Sequence, residues 1–221
     1  MKALDYLWNS PPADLAVSSD EVHVWRASLD QPELYVQRLA QTLSADECMR
    51  SKRFYFERDR RRFIVGRGIL RMILGCYLGI EPSCLKFWYG SHGKPALAEP
   101  ASGRKIRFNV SHSQGVALYA LTCNREVGVD LERLRSISDA ERIAKRFFSS
   151  QENAVLQALP ANLKHEAFFT CWTRKEAYIK ARGEGLSFSL DLFDVSLVPG
   201  EPAALLHVRG YPQEVSRWSL L

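Results

Sequence analysis

Two groups of charged side chains in this sequence have the types and spacing of a catalytic centre. Trp172, Glu176 and Lys180 recur at every fourth residue, so on a helix of about 3.6 residues per turn they project from one stripe. Upstream, Asp130 and Glu132 alternate with apolar residues, which predicts a strand with both carboxylates on one face. Close carboxylates repel one another unless a cation lies between them, and Mg²⁺ prefers such oxygen ligands together with phosphate oxygens. The pattern is that of a Mg²⁺ site able to take a phosphate ligand.

Both patterns also have a plain structural explanation. Glu176 followed by Lys180 is the favourable i,i+4 order, which stabilises any solvated helix by roughly 0.2–0.5 kcal/mol. On this helix alone, that explanation is the better supported one. The carboxylate strand could likewise end in solvent, where Arg133 and Arg135 would neutralise it. Each pattern, taken by itself, leaves catalysis and surface charge both open.

Caps and periodicity predict the elements that would position these side chains. Gly183 and Gly185 supply turn positions at which the central helix would stop. Ser44 and Glu47 match a capping box, which predicts the start of a helix. The remaining predicted elements are strands at 21–27, 86–89, 105–110, 116–122 and 127–132, helices at 139–148 and 151–159, and short strands from residue 190 onward, including one that begins at 217–221.

Arginine is concentrated between residues 50 and 71, beside apolar residues at helical spacing that run from Phe63 to Tyr77. The basic residues are Arg50, Lys52, Arg53, Arg58, Arg60, Arg61, Arg62, Arg67 and Arg71. Such a face is usually solvated, but arginine forks also suit the binding of phosphate. The sequence therefore predicts a basic helix face that is either a solvated surface or a phosphate-binding one.

Two further polar residues lie in predicted connections. Lys94 is in the turn 91–95, and His112 is in the segment 111–115 between two predicted strands. A lone histidine in a turn more often satisfies a backbone group than a ligand. By itself, His112 therefore favours a structural role over binding.

Composition restricts the class of protein. The 221 residues are 46% hydrophobic, which predicts a folded protein of one to two domains. The net charge of +5 favours an anionic partner without dictating nucleic acid. Five scattered cysteines predict neither a disulfide framework nor a zinc site, so a reducing cytoplasm fits best. No apolar run reaches the ~18 residues of a membrane span, and residues 1–10 lack the apolar core of a secretory signal.

The motifs together resemble the surfactin-type 4′-phosphopantetheinyl transferases. That family carries a Gly-hydrophobic-Asp strand followed by W-x-x-K-E-A-x-x-x-K, and this sequence has Gly128-Val129-Asp130 and then Trp172 to Lys180. Further stretches agree in the same order: Arg53-Phe54-Tyr55, Gly93-Lys94-Pro95, Phe108 to Ser113, Lys145-Arg146-Phe147-Phe148 and Gly185-Leu186-Ser187. The resemblance covers roughly residues 44 to 195, and several ordered blocks are a much stronger signal than one.

The resemblance implies an α/β (α+β) fold of two similar lobes, residues 1–123 and 124–221, related by a pseudo-twofold axis with the active site at their seam. It implies that Asp130, Glu132 and Glu176 bind Mg²⁺. It also implies a set of residues that contact coenzyme A, which are Arg50, Arg62, Lys94, Ser111, His112 and Lys180. Glu47 stands where some relatives carry a lysine.

The implied reaction transfers 4′-phosphopantetheine from coenzyme A to a serine of an apo acyl or peptidyl carrier protein and releases 3′,5′-ADP. Glu176 would be the base, directly or through a metal-bound water, and Lys180 would stabilise the leaving phosphate. The carrier could serve fatty acid, polyketide or nonribosomal peptide synthesis. The resemblance further implies a cytoplasmic monomer that binds neither membrane nor nucleic acid.

Two other classes of protein use similar residues. A metal-dependent nuclease combines strand carboxylates with a lysine, but it commonly places the last acid and the lysine two apart on a strand, whereas Glu176 and Lys180 lie four apart on a predicted helix. A basic nucleic-acid-binding module would use the arginines between residues 50 and 71 but would have no need of three carboxylates.

Overall fold

The chain divides into two compact units. The computed structural model describes residues 15–98 and 105–221. Residues 1–10, which the sequence analysis considered as a secretory signal, lie outside the described residues. Of these described residues, one unit comprises those within Met1–Tyr89 and Pro95–Glu126, and the other comprises Gly90–Lys94 with Val127–Leu221. Each has its own hydrophobic core. The short segment Gly90–Lys94 therefore leaves the first unit and packs with the second.

The first unit is built on a three-stranded antiparallel sheet. The strands of this unit are β1 (His23–Ser28), β2 (Phe87–Tyr89), β3 (Pro95–Leu97), β4 (Ile106–Ser113) and β5 (Val116–Cys123). The sheet has the order β1-β5-β4, while β2 and β3 form a separate hairpin. Gln114 and Gly115, both with positive φ, make the two-residue turn between β4 and β5. That turn fixes the register in which Phe108 pairs with Leu121 in the core.

The described residues of the first unit also form three α-helices: α1 (Glu33–Ala40), α2 (Ala45–Ser51) and α3 (Glu57–Leu78). The predicted capping box at the start of α2 is confirmed, with Ser44 and Glu47 in their expected roles. α3 ends where Gly79 adopts φ 64°, a left-handed conformation that costs glycine little.

Arg71 departs from the expected basic face. Its side chain is only 1% exposed and donates to Glu47 at 2.7 Å, to the Pro82 carbonyl at 2.8 Å and to the Leu85 carbonyl at 3.0 Å. Arg67 lies 3.2 Å from the same carboxylate. A buried guanidinium needs this compensation because removing its charge from water is costly. The prediction was therefore wrong for these two residues, which stabilise the interior.

The second unit is mainly helical. Its elements are α4 (Ala140–Phe147), α5 (Ser150–Ala158), α6 (Ala161–Arg182), β6 (Phe193–Val195), β7 (Leu205–Val208) and α7 (Glu214–Arg217). The predicted helices at 139–148 and 151–159 are confirmed. The strand expected to begin at 217–221 is wrong: α7 ends at Arg217, and residues 218–221 form no regular element. Glu214, at the start of α7, accepts hydrogen bonds from Tyr178 and Trp218.

A buried acid–cation pair of the same design occurs in the second unit. Ser149 and Glu152 form a second capping box, at the start of α5. The Glu152 carboxylate lies 2.7 Å from the ammonium of Lys175 on α6, and both side chains are almost fully buried. Lys175 also donates to the carbonyls of Leu190 and Phe193. In each unit a capping-box glutamate thus binds a cation from a 22-residue helix.

The predicted mixed α/β class is confirmed.

Candidate functional site

α6 presents the two charged residues of the predicted stripe. Glu176 and Lys180 both lie on its last turns, before Gly183 ends the helix with φ 78°. Trp172, the third member of the stripe, packs against Phe147 and Phe168 at ring-centroid distances of 5.9 and 6.2 Å. The stripe therefore splits, with the tryptophan anchoring α6 in the core and the two charges further along.

The segment 127–132 is not the strand that its alternation predicted. The structure assigns it no regular strand, and it packs against α6 instead of pairing in a sheet. An added Cβ at Gly128 would lie 2.0 Å from the carbonyl oxygen of Ala177 and 2.4 Å from the amide nitrogen of Ala181. Only glycine permits so close a backbone approach. Gly128 thus brings the carboxylate segment directly onto the helix that carries Glu176 and Lys180.

The close approach brings four charged side chains together. The ammonium of Lys180 lies 2.5 Å from Oδ1 of Asp130, whose side chain is 5% exposed. Burial raises the pKa of the Glu176 carboxyl above its usual value, Lys180 opposes that shift, and the charges of Asp130 and Glu132 raise the pKa further. A carboxyl with a raised pKa is better suited to accept a proton near neutral pH.

This donor set fits a hard divalent cation in its chemistry. Asp130, Glu132 and Glu176 supply only carboxylate oxygens, and a bound cation would relieve the repulsion that adds to the effect of burial on the pKa of Glu176. In their described positions, however, no three His, Cys, Asp or Glu side chains within residues 15–98 and 105–221 converge as a metal centre requires. Binding Mg²⁺ would therefore require these side chains to rearrange, with Asp130 exchanging its contact to Lys180.

Lys94 joins this site through the backbone. Its ammonium donates to the carbonyl of Ala181 at 3.0 Å and to the carbonyl of Val127 at 3.3 Å. One carbonyl belongs to the last turn of α6 and the other precedes Gly128, so Lys94 holds the two chemistry-bearing segments together. No sequence pattern indicated this contact.

The remaining predicted residues belong to the first unit. The guanidinium of Arg62 forms a two-pronged contact with Asp30, at 2.7 and 2.8 Å. Arg50 is exposed and places its guanidinium 5.4 Å from the ring centre of Phe63. A phosphate that binds Arg62 would have to displace Asp30, whereas Arg50 faces solvent.

The positions of Ser111 and His112 differ from the expected turn. β4 continues through both residues, and His112 pairs with Ala117 across the hairpin. Ser111 is buried at 6% exposure, whereas His112 is exposed. The sequence interpretation placed the connection too early because Gln114 and Gly115 alone suffice for the turn. His112 is therefore presented by a rigid strand.

Comparisons with known proteins show the family to which this chain belongs. The 4′-phosphopantetheinyl transferase superfamily model matches residues 126–220, and the 4′-phosphopantetheinyl transferase N-terminal model matches residues 23–124. The 4′-phosphopantetheinyl transferase HetI of Nostoc is 50% identical over 218 residues, which is 99% of this chain and 89% of that protein. The chain belongs to the 4′-phosphopantetheinyl transferase family.

More distant members of the family agree. The transferase is 31% identical over 161 residues to the 4′-phosphopantetheinyl transferase Sfp of Bacillus subtilis, which covers 73% of this chain and 69% of Sfp. It is 28% identical over 166 residues to the human L-aminoadipate-semialdehyde dehydrogenase-phosphopantetheinyl transferase, which covers 72% of this chain and 54% of the human protein. The family resemblance drawn from the motifs is therefore confirmed.

The motif of the transferase combines catalytic candidates with a structural residue that sequence reasoning missed. Lys175 directly precedes Glu176, but its side chain is fully buried against Glu152 and faces away from solvent. The Ser149-x-x-Glu152 capping box was the sequence signal for this partner, although it predicts only a helix start and not the ion pair. None of the described helices is long and apolar enough to span a membrane.

Proposed function

We propose that this transferase moves the 4′-phosphopantetheine group of coenzyme A to a serine of an apo carrier protein, with Mg²⁺ held by Asp130, Glu132 and Glu176 and with release of 3′,5′-ADP. The observation that carries the proposal is the contact of Lys180 with Asp130, beside a Glu176 whose pKa is raised in part by Asp130 and Glu132, where Gly128 lets the segment 127–132 touch α6. Transfer to a carrier protein follows from membership of the family.

The reaction makes definite demands on this site. The serine Oγ forms a bond to the β-phosphorus of coenzyme A, the bond from that phosphorus to the bridging oxygen of 3′,5′-ADP breaks, and the hydroxyl proton must be accepted. When bound, Mg²⁺ would neutralise the pyrophosphate oxygens. We assign proton acceptance to Glu176, because burial and neighbouring carboxylates raise its pKa. Lys180 orients Asp130 and supplies positive charge beside the leaving phosphate.

Binding of the nucleotide part is assigned to the six residues implied by the family. Support differs among them: Arg50 and His112 are exposed, whereas Arg62 is engaged by Asp30. Lys94 binds two backbone carbonyls in addition to any contact with coenzyme A. We therefore propose that His112 and Arg50 contribute mainly to the affinity for coenzyme A, and that Lys94 contributes to both affinity and geometry.

The test measures transfer to an apo carrier protein by intact mass at saturating coenzyme A. Glu176→Gln and Lys180→Ala should each lower kcat by about 10²-fold or more in protein that remains folded. Chelation of Mg²⁺ should abolish transfer, and coenzyme A with Mg²⁺ should raise the unfolding temperature. Wild-type kcat in either variant would remove that residue from the mechanism. Stabilisation by an oligonucleotide but not by coenzyme A would instead support the nucleic-acid alternatives.

A further inference from the structure

The connection between α2 and α3 exposes large aromatic side chains. Tyr55 is 91% exposed, the highest value for an aromatic residue in the described parts of the chain, and Phe56 is 63% exposed. Their rings touch edge to face with centroids 5.0 Å apart. Phe54, by contrast, packs on Phe63 of α3 at 5.2 Å. We call Phe54–Phe56 the aromatic turn: one ring anchors it and two project into solvent.

The exposed rings do not serve the local fold. Phe56 is the N-cap residue of α3 and makes no side-chain cap hydrogen bond. Serine, threonine, aspartate and asparagine are preferred at this position because their side chains satisfy the first amides of a helix. A residue that violates a local rule without a packing gain indicates a role outside the fold.

The surroundings of the aromatic turn are basic and uncompensated. Lys52 and Arg53 are both exposed, and neither forms an ion pair with any residue in 15–98 or 105–221. The next arginine differs, because Arg58 contacts Asp59. Met49 adds a further 61% exposed apolar side chain from α2. The turn therefore presents aromatic and apolar surface next to two available positive charges.

We propose that the aromatic turn is a docking surface for the carrier protein, and that Tyr55 and Phe56 contact an apolar patch on it while Lys52 and Arg53 face its acidic side chains. Tyrosine, other aromatic residues and arginine dominate the energetics of protein interfaces, and charge complementarity steers association. An acidic carrier matches both features of this surface. The proposal rests on the proposed function, since that function supplies the carrier as partner.

The experiment measures carrier binding separately from transfer. The probe is an acidic apo acyl carrier protein whose acceptor serine is replaced by alanine, titrated into the transferase by calorimetry. Tyr55→Ser and Phe56→Ser should each weaken binding about 10-fold or more, as loss of a central aromatic contact does. With the unmodified carrier, KM for the carrier should rise similarly, while kcat and KM for coenzyme A stay at wild-type values. Phe56→Ser should unfold at the same temperature or higher, because serine is the better N-cap.

Matched control variants distinguish a specific effect of the aromatic turn from the effect of losing any exposed ring or any positive charge. Tyr35→Ser removes a 53% exposed ring from α1 and should leave carrier binding unchanged. Arg53→Glu should weaken binding and reduce its dependence on salt, whereas Arg209→Glu at an exposed position of the second unit should do neither.

Four outcomes would overturn the docking-surface proposal. The first three are unchanged carrier affinity in Tyr55→Ser and Phe56→Ser, an equal rise in KM for coenzyme A, and a change in sedimentation showing that the turn joins two copies of this chain. Binding of an oligonucleotide that is lost in the same variants would also overturn it. If the wild-type protein itself failed to transfer, the proposed function would fail. Normal wild-type transfer with unaffected variants would refute only the docking surface.

Discussion

Replacing Gly128 by alanine should strongly lower kcat for transfer to the carrier protein, because there is no space for the added methyl group. The new Cβ would lie 2.0 Å from the carbonyl oxygen of Ala177 and 2.4 Å from the amide nitrogen of Ala181, whereas ordinary contact begins at 3.4 Å. Both obstacles are backbone atoms of α6, so no side chain can rotate away. The segment 127–132 must retreat by roughly 1.4 Å to restore normal contact distances.

This displacement of the segment 127–132 should lower the rate of transfer more than it lowers the stability of the fold. Overpacking in a tight interface typically costs about 1–3 kcal/mol of unfolding free energy, and the rigid obstacles place Gly128→Ala near the upper end. A displacement of about 1 Å at the reacting groups can lower the rate about 10²-fold. Asp130 would move with the segment, away from its 2.5 Å contact with Lys180. We therefore expect a large loss of kcat in protein that remains folded.

The assay is transfer to an apo carrier protein at saturating substrates, together with urea unfolding of the same preparations. Gly66→Ala is the matched control, since its Cβ would lie 3.5 Å from the Leu29 side chain and 3.8 Å from the Tyr119 hydroxyl. Alanine is also a better helix former than glycine by about 1 kcal/mol, so this control should be as stable as wild type or more so. A Gly128→Ala variant with wild-type kcat would refute the argument that close backbone approach builds the site.

Three further predictions test other parts of the structure. Glu152→Ala should lower the unfolding free energy in urea by about 3–5 kcal/mol, because it leaves the buried ammonium of Lys175 without its carboxylate; a loss below about 1 kcal/mol, as for a surface pair, would contradict this. Burial alone would raise the pKa of Glu214, but the hydrogen bond from Trp218 and nearby arginines hold it below its ordinary value of 4.5. Glu214→Gln should therefore reduce the unfolding temperature at neutral pH, and the difference from wild type should vanish as the pH falls below that value; an equal deficit at low pH would refute the charge argument. His112→Ala should raise KM for coenzyme A with little change in kcat or unfolding temperature, and an unchanged KM would remove His112 from the binding site.

The sequence predicted the elements whose ends carry local signals. The helix from the Ser44 capping box and the end of α6 at Gly183 are both present, because caps depend on a few neighbouring residues. The prediction of a strand at 127–132 was wrong because its structure depends on distant residues. Alternation describes one buried face, but it cannot distinguish a sheet partner from a helix that approaches within backbone contact. Gly128 was visible in the sequence as part of the motif. The reason that glycine is required there, the proximity of Ala177, is a tertiary contact that the sequence does not show.

The same limit applies to charge. The arginines between residues 50 and 71 look alike in sequence, yet Arg53 is exposed, Arg62 is paired with Asp30 and Arg71 is buried. Helical periodicity does not settle which arginine enters the core, since that depends on the buried carboxylate of Glu47 and on two backbone carbonyls after the helix. A charged run therefore predicts a basic helix but not which of its charges are available to a ligand.

The two buried ion pairs share one design although their cations differ. Each consists of a capping-box glutamate, Glu47 or Glu152, and a cation from the following long helix, Arg71 or Lys175. Either cation can serve because its other partners are backbone carbonyls, which accept from a guanidinium and from an ammonium alike. What must be preserved is a buried positive charge at the correct point of the helix. In α6 that point directly precedes Glu176, so the ion pair that holds the helix in the core also fixes the position from which the proposed base acts.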